Sequence, residues 1–364
     1  MTQSSPAGPN AGARPADAAP RQAREASATA SREARQRLFQ IALGGLGTQM
    51  LGVAARLDLA DRLADGPKSC EELARSTGAH APSLLRVMRA LAGLGVFTEV
   101  ETGRFGLTPL SACLRSDLPG SFRAVPIYLA GELYRTFGEL LHGIQTGERA
   151  FDRVYGASYF EYLAEHADAA QLFNEAMTAL GAAAENAAVA AAYDFSGIGT
   201  VVDVGGGHGA LLASILSANP GVTGVLFDQP AVVAGAQAQI EAAGVGDRCT
   251  LVGGDFFEAV PTGGDVYVLK RIIHDWDDER SVAILTRCRR AMADRAKLLV
   301  VEDLLPPGDE PSLSKLVDVV MMTILPGRER TADEYRNLFG MAGFDLSRIV
   351  PTASSKAVIE GTPV

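Results

Sequence analysis

The spacing of hydrophobic and polar positions changes several times along the chain, and each change predicts a different kind of element. Residues 1–37 hold Ala, Ser, Pro and Arg without an aromatic side chain or apolar periodicity. Such a stretch cannot bury enough surface to offset the entropy of ordering, so a disordered tail is expected. Its arginines are interrupted by Asp17, Glu25 and Glu33, unlike the acid-poor pattern of a transit peptide. Residues 38–118 carry the pattern of a winged helix. Ser69-Cys70-Glu71-Glu72 is a capping box that starts a short helix. Pro82 suits the first turn of the next helix, in which Leu84, Val87, Met88 and Leu91 form one apolar face. Val96–Val100 and Arg104–Leu107 then flank Glu101-Thr102-Gly103 as a hairpin wing.

Residues 119–194 read as a helical connecting region in which Phe151, Tyr155, Tyr159, Phe160, Tyr162 and Phe173 are concentrated. Aromatic rings at a domain junction either fill a shared core or line a pocket, and the cluster is read as contributing to an acceptor pocket. From 195 to 364 strands and helices alternate, as in a Rossmann-like, doubly wound α/β sheet.

The chemistry clusters where those strands end. The β-branched run Thr200–Val204 breaks into Gly205–Gly209 and then a helix, a loop that brings backbone N–H groups and a helix N-terminus against a ligand. Read through Ala210, it also satisfies the dinucleotide pattern, which leaves a nicotinamide cofactor open. Asp228 closes the next strand about 20 residues on, where an acid meets two ribose hydroxyls. Asp255 and Phe256 follow a third strand, where a carboxylate accepts from the amine of adenine and a ring packs on the base. The strand Asp265–Lys270 runs into Arg271, His274, Asp275, Trp276, Asp277, Asp278 and Glu279. At the carboxyl edge of an open α/β sheet, a near-neutral imidazole such as His274 is suited to take a proton from an acidic hydroxyl. Asp277 or Asp278 more simply caps the helix from Ser281 to Ala291 than holds a metal ion, and no metal is expected.

Composition and charge narrow the class. With 364 residues, 47% of them hydrophobic, the chain can hold more than one domain. The sequence shows no apolar run approaching the roughly 20 residues that span a bilayer and no signal-peptide core, which places it in the cytoplasm. Cys70, Cys113, Cys249 and Cys288 lack paired spacing and read as buried small hydrophobes. Net charge is −10, and residues 40–115 carry eight basic against seven acidic side chains, a poor balance for neutralising phosphates. The apolar segment Leu43–Leu59 exceeds what so small a domain needs for itself, which favours dimerisation over DNA binding.

These motifs together resemble the class I S-adenosylmethionine-dependent O-methyltransferases that act on small molecules. That group includes plant caffeate and flavonoid enzymes and bacterial tailoring enzymes of aromatic polyketides and antibiotics. The resemblance rests on Asp203-Val204-Gly205-Gly206-Gly207-His208-Gly209, Phe227-Asp228-x-Pro230, Gly253-Gly254-Asp255-Phe256-Phe257, Leu269-Lys270-x-Ile272-Ile273-His274-Asp275-Trp276, Glu302 and Gly327-Arg328-Glu329-Arg330-Thr331. It implies S-adenosyl-L-methionine as cofactor, a homodimer formed through the N-terminal domain, no nucleic-acid or membrane partner, and methylation of a phenolic hydroxyl on a small aromatic natural product. It further implies that Asp203, Gly205 and Gly207 hold the methionine part of the cofactor, Asp228 the ribose, Asp255 and Phe256 the adenine, and that Lys270 contacts it through its backbone. His274 matches the family's general base, and Glu302 and Glu329 match the acids that flank it. Asn174, Met177, Asp318, Met321 and Met322 fall where family members touch cofactor or acceptor. Two alternatives stay open: a tailoring enzyme that keeps the cofactor site but performs hydroxylation or decarboxylation, and a ligand-sensing DNA-binding regulator. Arg271 departs from the pattern, standing where many relatives carry an aromatic residue.

Overall fold

The computed structural model describes Met1, residues 18–180 and residues 183–364. In the N-terminal part, β1 (Lys68–Ser69), β2 (Phe97–Glu101) and β3 (Arg104–Leu107) form an antiparallel sheet in the order β1-β3-β2. Two helices, Cys70–Thr77 and Ala81–Gly93, precede the β2–β3 hairpin. The capping box is formed in full: the Glu72 amide donates to Ser69 Oγ and the Ser69 amide to Glu72 Oε2. The predicted apolar face of the second helix, through Leu84, Met88 and Leu91, packs with Leu73, Phe97 and Phe105 in one buried cluster.

Part of the stretch expected to be a disordered tail is instead helical, from Ala18 to Ala42, while residues 2–17 lie outside the described residues. Ala, Arg, Gln and Glu are strong helix formers, so the backbone needs no apolar stripe to coil, and a reading from apolar periodicity alone misses it. Contrary to the expectation from the sequence, one helical stretch among the described residues, Thr29–Arg56, is long and apolar enough by length and composition to cross a membrane. A turn at residue 43 breaks it, and its second half packs on protein: a Cβ at Gly52 would lie 2.4 Å from that of Ala130. Of the four free cysteines, Cys70 and Cys288 are buried as expected, but Cys249 is half-buried and Cys113 exposed.

The middle region is helical from Ala124–Leu129 to Ala183–Ala192. Its aromatic residues converge: the Phe151 ring lies 4.6, 5.0 and 5.4 Å from those of Tyr155, Tyr159 and Tyr162. Ile324 and Leu325, at the end of the distant helix Leu313–Ile324, complete this cluster.

The large sheet comprises β4 (Thr200–Val204), β5 (Thr223–Asp228), β6 (Cys249–Gly253), β7 (Val266–Lys270), β8 (Lys297–Asp303), β9 (Phe344–Pro351) and β10 (Lys356–Pro363). Their order is β6-β5-β4-β7-β8-β10-β9, with β4 to β8 parallel and β10 antiparallel to both neighbours. Chain order therefore reverses between β4 and β7, and a crevice opens at their carboxyl ends, the place where open α/β sheets bind ligands. Successive side chains serve opposite faces: Val201 packs with Leu212 and Leu226, whereas Val202 packs with Tyr267 and Leu298.

The helix that follows the glycine loop, Ala210–Ala218, has its C-terminal end tied down by Arg248. The guanidinium donates to the carbonyls of Leu216, Asn219 and Val222 at 2.8, 3.2 and 2.7 Å. Charged hydrogen bonds at a helix C-terminus complement its dipole, so Arg248→Ala is expected to lower the unfolding free energy by about 2 kcal/mol in urea titration. A loss below about 0.5 kcal/mol, the size of an ordinary surface substitution, would show that this cap is dispensable.

Candidate active site

The glycine loop and β5 are locked together. The Gly205 and Gly206 amides donate to the Phe227 carbonyl at 2.8 and 3.3 Å, and the Gly207 amide donates to Asp228 Oδ2 at 2.8 Å. Gly205 has φ of +70°, and a Cβ there would approach Ile272 to 2.5 Å, so no other residue fits. A Cβ at Gly206 would come 2.6 Å from Asp203 Oδ2. That oxygen is buried and has no hydrogen-bond partner. Burial pushes the Asp203 carboxyl up to about 7, against the pull of Lys270. A buried carboxylate oxygen without a partner, beside Gly205 and Gly206 where no Cβ fits, suits a ligand that carries an ammonium group.

Asp228 also accepts from the Gln229 amide through Oδ1 at 2.7 Å, so both carboxylate oxygens brace the turn. Asp255 is exposed and accepts from the Phe257 amide at 2.8 Å. Phe256 stands edge-on to Trp276 with centroids 6.2 Å apart, and a Cβ on Gly205 would lie 3.6 Å from its ring. Phe256 thus faces the loop. The Lys270 ammonium turns toward the helix Ala183–Ala192, bonding Glu185 Oε1 at 2.7 Å and Asn186 Oδ1 at 2.5 Å. Arg271 adopts φ of +56° and reaches the same helix, donating to Glu185 Oε2 at 3.1 Å.

His274 sits in a short 3₁₀ turn, Ile273–Asp275, just past β7, and is buried. Its Nδ1 lies 2.8 Å from Glu329 Oε1, its Nε2 3.3 Å from Asp275 Oδ1. Glu302 acts differently from a ring partner. Its Oε2 is 3.9 Å from Nδ1, whereas its Oε1 accepts the amides of Ile272, Ile273 and His274 at 3.0, 3.1 and 3.4 Å. Glu302 therefore holds the turn that carries the histidine. Burial alone would push His274 down, but the carboxylates of Glu302, Asp275 and Glu329 outweigh it and hold the imidazole up to about 9. Burial pushes Asp275 up to about 6 and raises Glu302 as well, in each case against the pull of His274. Atoms of His274, Glu302 and Glu329 lie within 4.8 Å of one another, close enough to share an ion. Glu302 Oε1 and Glu329 Oε1 are already committed to hydrogen bonds.

The residues expected to line a pocket divide. Asp318 Oδ1 accepts the Glu329 amide at 2.8 Å and so places the histidine's partner. Met177 and Met321 pack into the aromatic cluster. Met322 is 37% exposed, in line with exposed Leu313, Leu316 and Val319, because consecutive helical positions face different ways. Asn174 is exposed as well. Reading the sequence overlooked Gly327 and Arg330. A Cβ at Gly327 would lie 1.9 Å from the His274 carbonyl, and fully buried Arg330 bonds the same turn. Both belong to the quoted Gly327–Thr331 motif, which was the available signal.

Comparison with known proteins gives a consistent picture. Residues 137–345 match an O-methyltransferase domain and residues 39–117 an O-methyltransferase dimerisation domain. The chain is 51% identical over 327 residues to a phenazine O-methyltransferase, PhzM, of Lysobacter antibioticus, covering 90% of this chain and 96% of that one. It is 35% identical to an 8-amino-8-demethylriboflavin N,N-dimethyltransferase of Streptomyces davaonensis, covering 90% and 95%. The crystal structure of LaPhzM superposes with a TM-score of 0.86 at 50% identity, covering 91% of this chain and 99% of that one. An O-methyltransferase of neocarzinostatin biosynthesis, solved with S-adenosylmethionine and 2-hydroxy-5-methyl naphthoic acid, superposes with a TM-score of 0.76 at 34% identity, covering 87% and 96%. The chain thus belongs to the O-methyltransferase family, whose members are S-adenosylmethionine-dependent enzymes, and it carries that family's dimerisation domain.

Proposed function

We propose that this protein methylates a phenolic hydroxyl of a small aromatic natural product, with His274 as the base. The observation that carries the reading is the 2.8 Å contact between His274 Nδ1 and Glu329. In the neutral ring, Nδ1–H donating to the carboxylate leaves the lone pair on Nε2, as a general base requires, while Asp275 Oδ1 at 3.3 Å from Nε2 favours the protonated ring. S-adenosylmethionine, when bound, supplies an electrophilic methyl group on a positively charged sulfur. Asp203, Gly205 and Gly207 are the residues to hold its methionine part, Asp228 its ribose, and Asp255 with Phe256 its adenine.

The chain's own work is positioning and proton removal. A phenol has a pKa near 10, so at neutral pH its oxygen is a poor nucleophile until a base takes the proton. Three carboxylates hold His274 up at about 9, so its neutral, proton-accepting form grows as pH rises toward that value. Relatives include an N-methyltransferase, but a neutral amine attacks through its own lone pair and needs no base beforehand. A buried imidazole backed by an acid favours the hydroxyl. The aromatic cluster with Met177 and Met321 supports a flat, apolar acceptor, and Phe160 lies nearly parallel to Trp276 at 6.3 Å. Exposed Leu38, Phe39, Ile41 and Leu46 at the start of the dimerisation-domain match support a homodimer.

His274→Gln is expected to lower kcat on a phenolic acceptor by ~10² to 10⁴ while titration calorimetry finds the cofactor Kd within about threefold. Collapse of both together would make the residue structural. Glu329→Gln removes a negative charge from Nδ1, so the His274 titration followed by NMR in the cofactor-free protein should move down from about 9; an unmoved midpoint would uncouple the two. Asp228→Ala should weaken cofactor binding at least about tenfold, or 1.4 kcal/mol, since it frees the Gly207 amide as well as removing the ribose acid. Unchanged affinity would exclude that role.

A further inference from the structure

The turn that presents His274 is gripped on two sides. On its amide side Glu302 Oε1 accepts three consecutive N–H groups. On its carbonyl side lies Arg330, whose side chain is 0% exposed. Nη1 donates to the Ile273 carbonyl at 3.0 Å and Nη2 to the Trp276 carbonyl at 2.9 Å. Nη2 also reaches Asp278 Oδ1 at 2.8 Å and Ser281 Oγ at 3.3 Å. The two carbonyls bracket His274 in sequence.

Burying a guanidinium is costly, and well-packed apolar residues often replace a buried ion pair without loss of stability. Stability alone is therefore a weak reason for Arg330 to be here. Its neighbour gives a better one. Glu329 bonds the imidazole while Arg330 bonds the backbone beneath it, so two adjacent residues fix the ring and its support together. The segment is anchored in turn: the Leu305 amide donates to the Arg330 carbonyl at 3.0 Å, just beyond the strand that carries Glu302. Gly327 lets the segment lie directly against the backbone of residues 274–276.

We propose that Arg330 is a positioning residue for the reaction: with Glu302 it clamps the 3₁₀ turn at both poles and keeps His274 in register with Glu329. The inference rests on the reading of His274 as the base. Arg330 itself touches neither the imidazole nor the reacting atoms, so its effect passes through the turn. The clamp is geometric, since a lysine supplies the charge but not a planar fork that reaches two carbonyls and a carboxylate at once.

Arg330→Ala leaves a guanidinium-sized space, and Arg330→Lys keeps the charge and tests the protein should the alanine variant not fold. Both are expected to lower kcat at least about tenfold, alanine more than lysine, with the cofactor Kd within about threefold. In the cofactor-free protein the His274 NMR titration should fall below about 9 in each, because the Nδ1–Glu329 contact loosens. Millimolar guanidinium chloride should restore kcat and the titration in Arg330→Ala and leave Arg330→Lys unchanged. A folded variant with wild-type kcat and an unmoved His274 titration overturns the proposal. So does a rate loss in folded Arg330→Ala that guanidinium does not rescue. The titration needs no turnover, so it tests the clamp even if His274→Gln proves fully active and the base reading fails.

Discussion

The contact between the His274 imidazole and the Glu329 carboxylate, 2.8 Å long and sealed from solvent, sets the requirements for the rest of the site. A buried ion pair is weakly favourable at best unless its remaining polar atoms are satisfied. The surroundings meet part of this demand, while Glu329 Oε2 and Glu302 Oε2 stay buried without a hydrogen-bond partner. Asp318 accepts the Glu329 amide, Glu302 accepts the amides of the turn, and Arg330 donates to its carbonyls. Each of these groups lies on a different element, so the histidine is held by the fold as a whole. In the neutral ring the same contact favours the proton on Nδ1, facing Glu329 Oε1.

The topology explains why these elements meet. β4 carries Asp203 and leads into the glycine loop, β7 leads into the histidine turn, and β8 carries Glu302 one residue before its end. The three strands are neighbours in the order β4-β7-β8, and the sheet reverses its winding between the first two. The glycine loop and the histidine turn are thereby placed side by side at one sheet edge. Lys270 and Arg271 tie the helix Ala183–Ala192 to the end of β7 through Glu185.

Local signals in the chain were enough to find the glycine loop, the acids at Asp228 and Asp255, and the histidine. Each lies within a few residues of the strand end that places it, and strand, turn and acid follow one another in a fixed pattern. Contacts between distant positions were harder. Arg330 lies 57 residues from Ile273, and nothing in its own segment says which carbonyls it meets. The family pattern says that Glu302 flanks the histidine but not that its Oε1 takes three backbone amides while Oε2 stands 3.9 Å from Nδ1. Periodicity also failed at the helix Ala18–Ala42, where propensity rather than an apolar face sustains the coil. Met322, which the family resemblance places with Met321 at the pocket, is exposed in this protein, because neighbouring helical positions face different ways.

In the proposed reaction an imidazole within the protein, rather than water, takes the acceptor's proton. The pH dependence of the single-turnover rate of methyl transfer to a phenol, in the wild type and in His274→Gln, tests it most directly. The account predicts that the wild-type rate levels off once His274 is neutral, whereas the variant's rate keeps climbing about tenfold per pH unit toward the phenol's own pKa near 10. Superimposable profiles for the two proteins would contradict it.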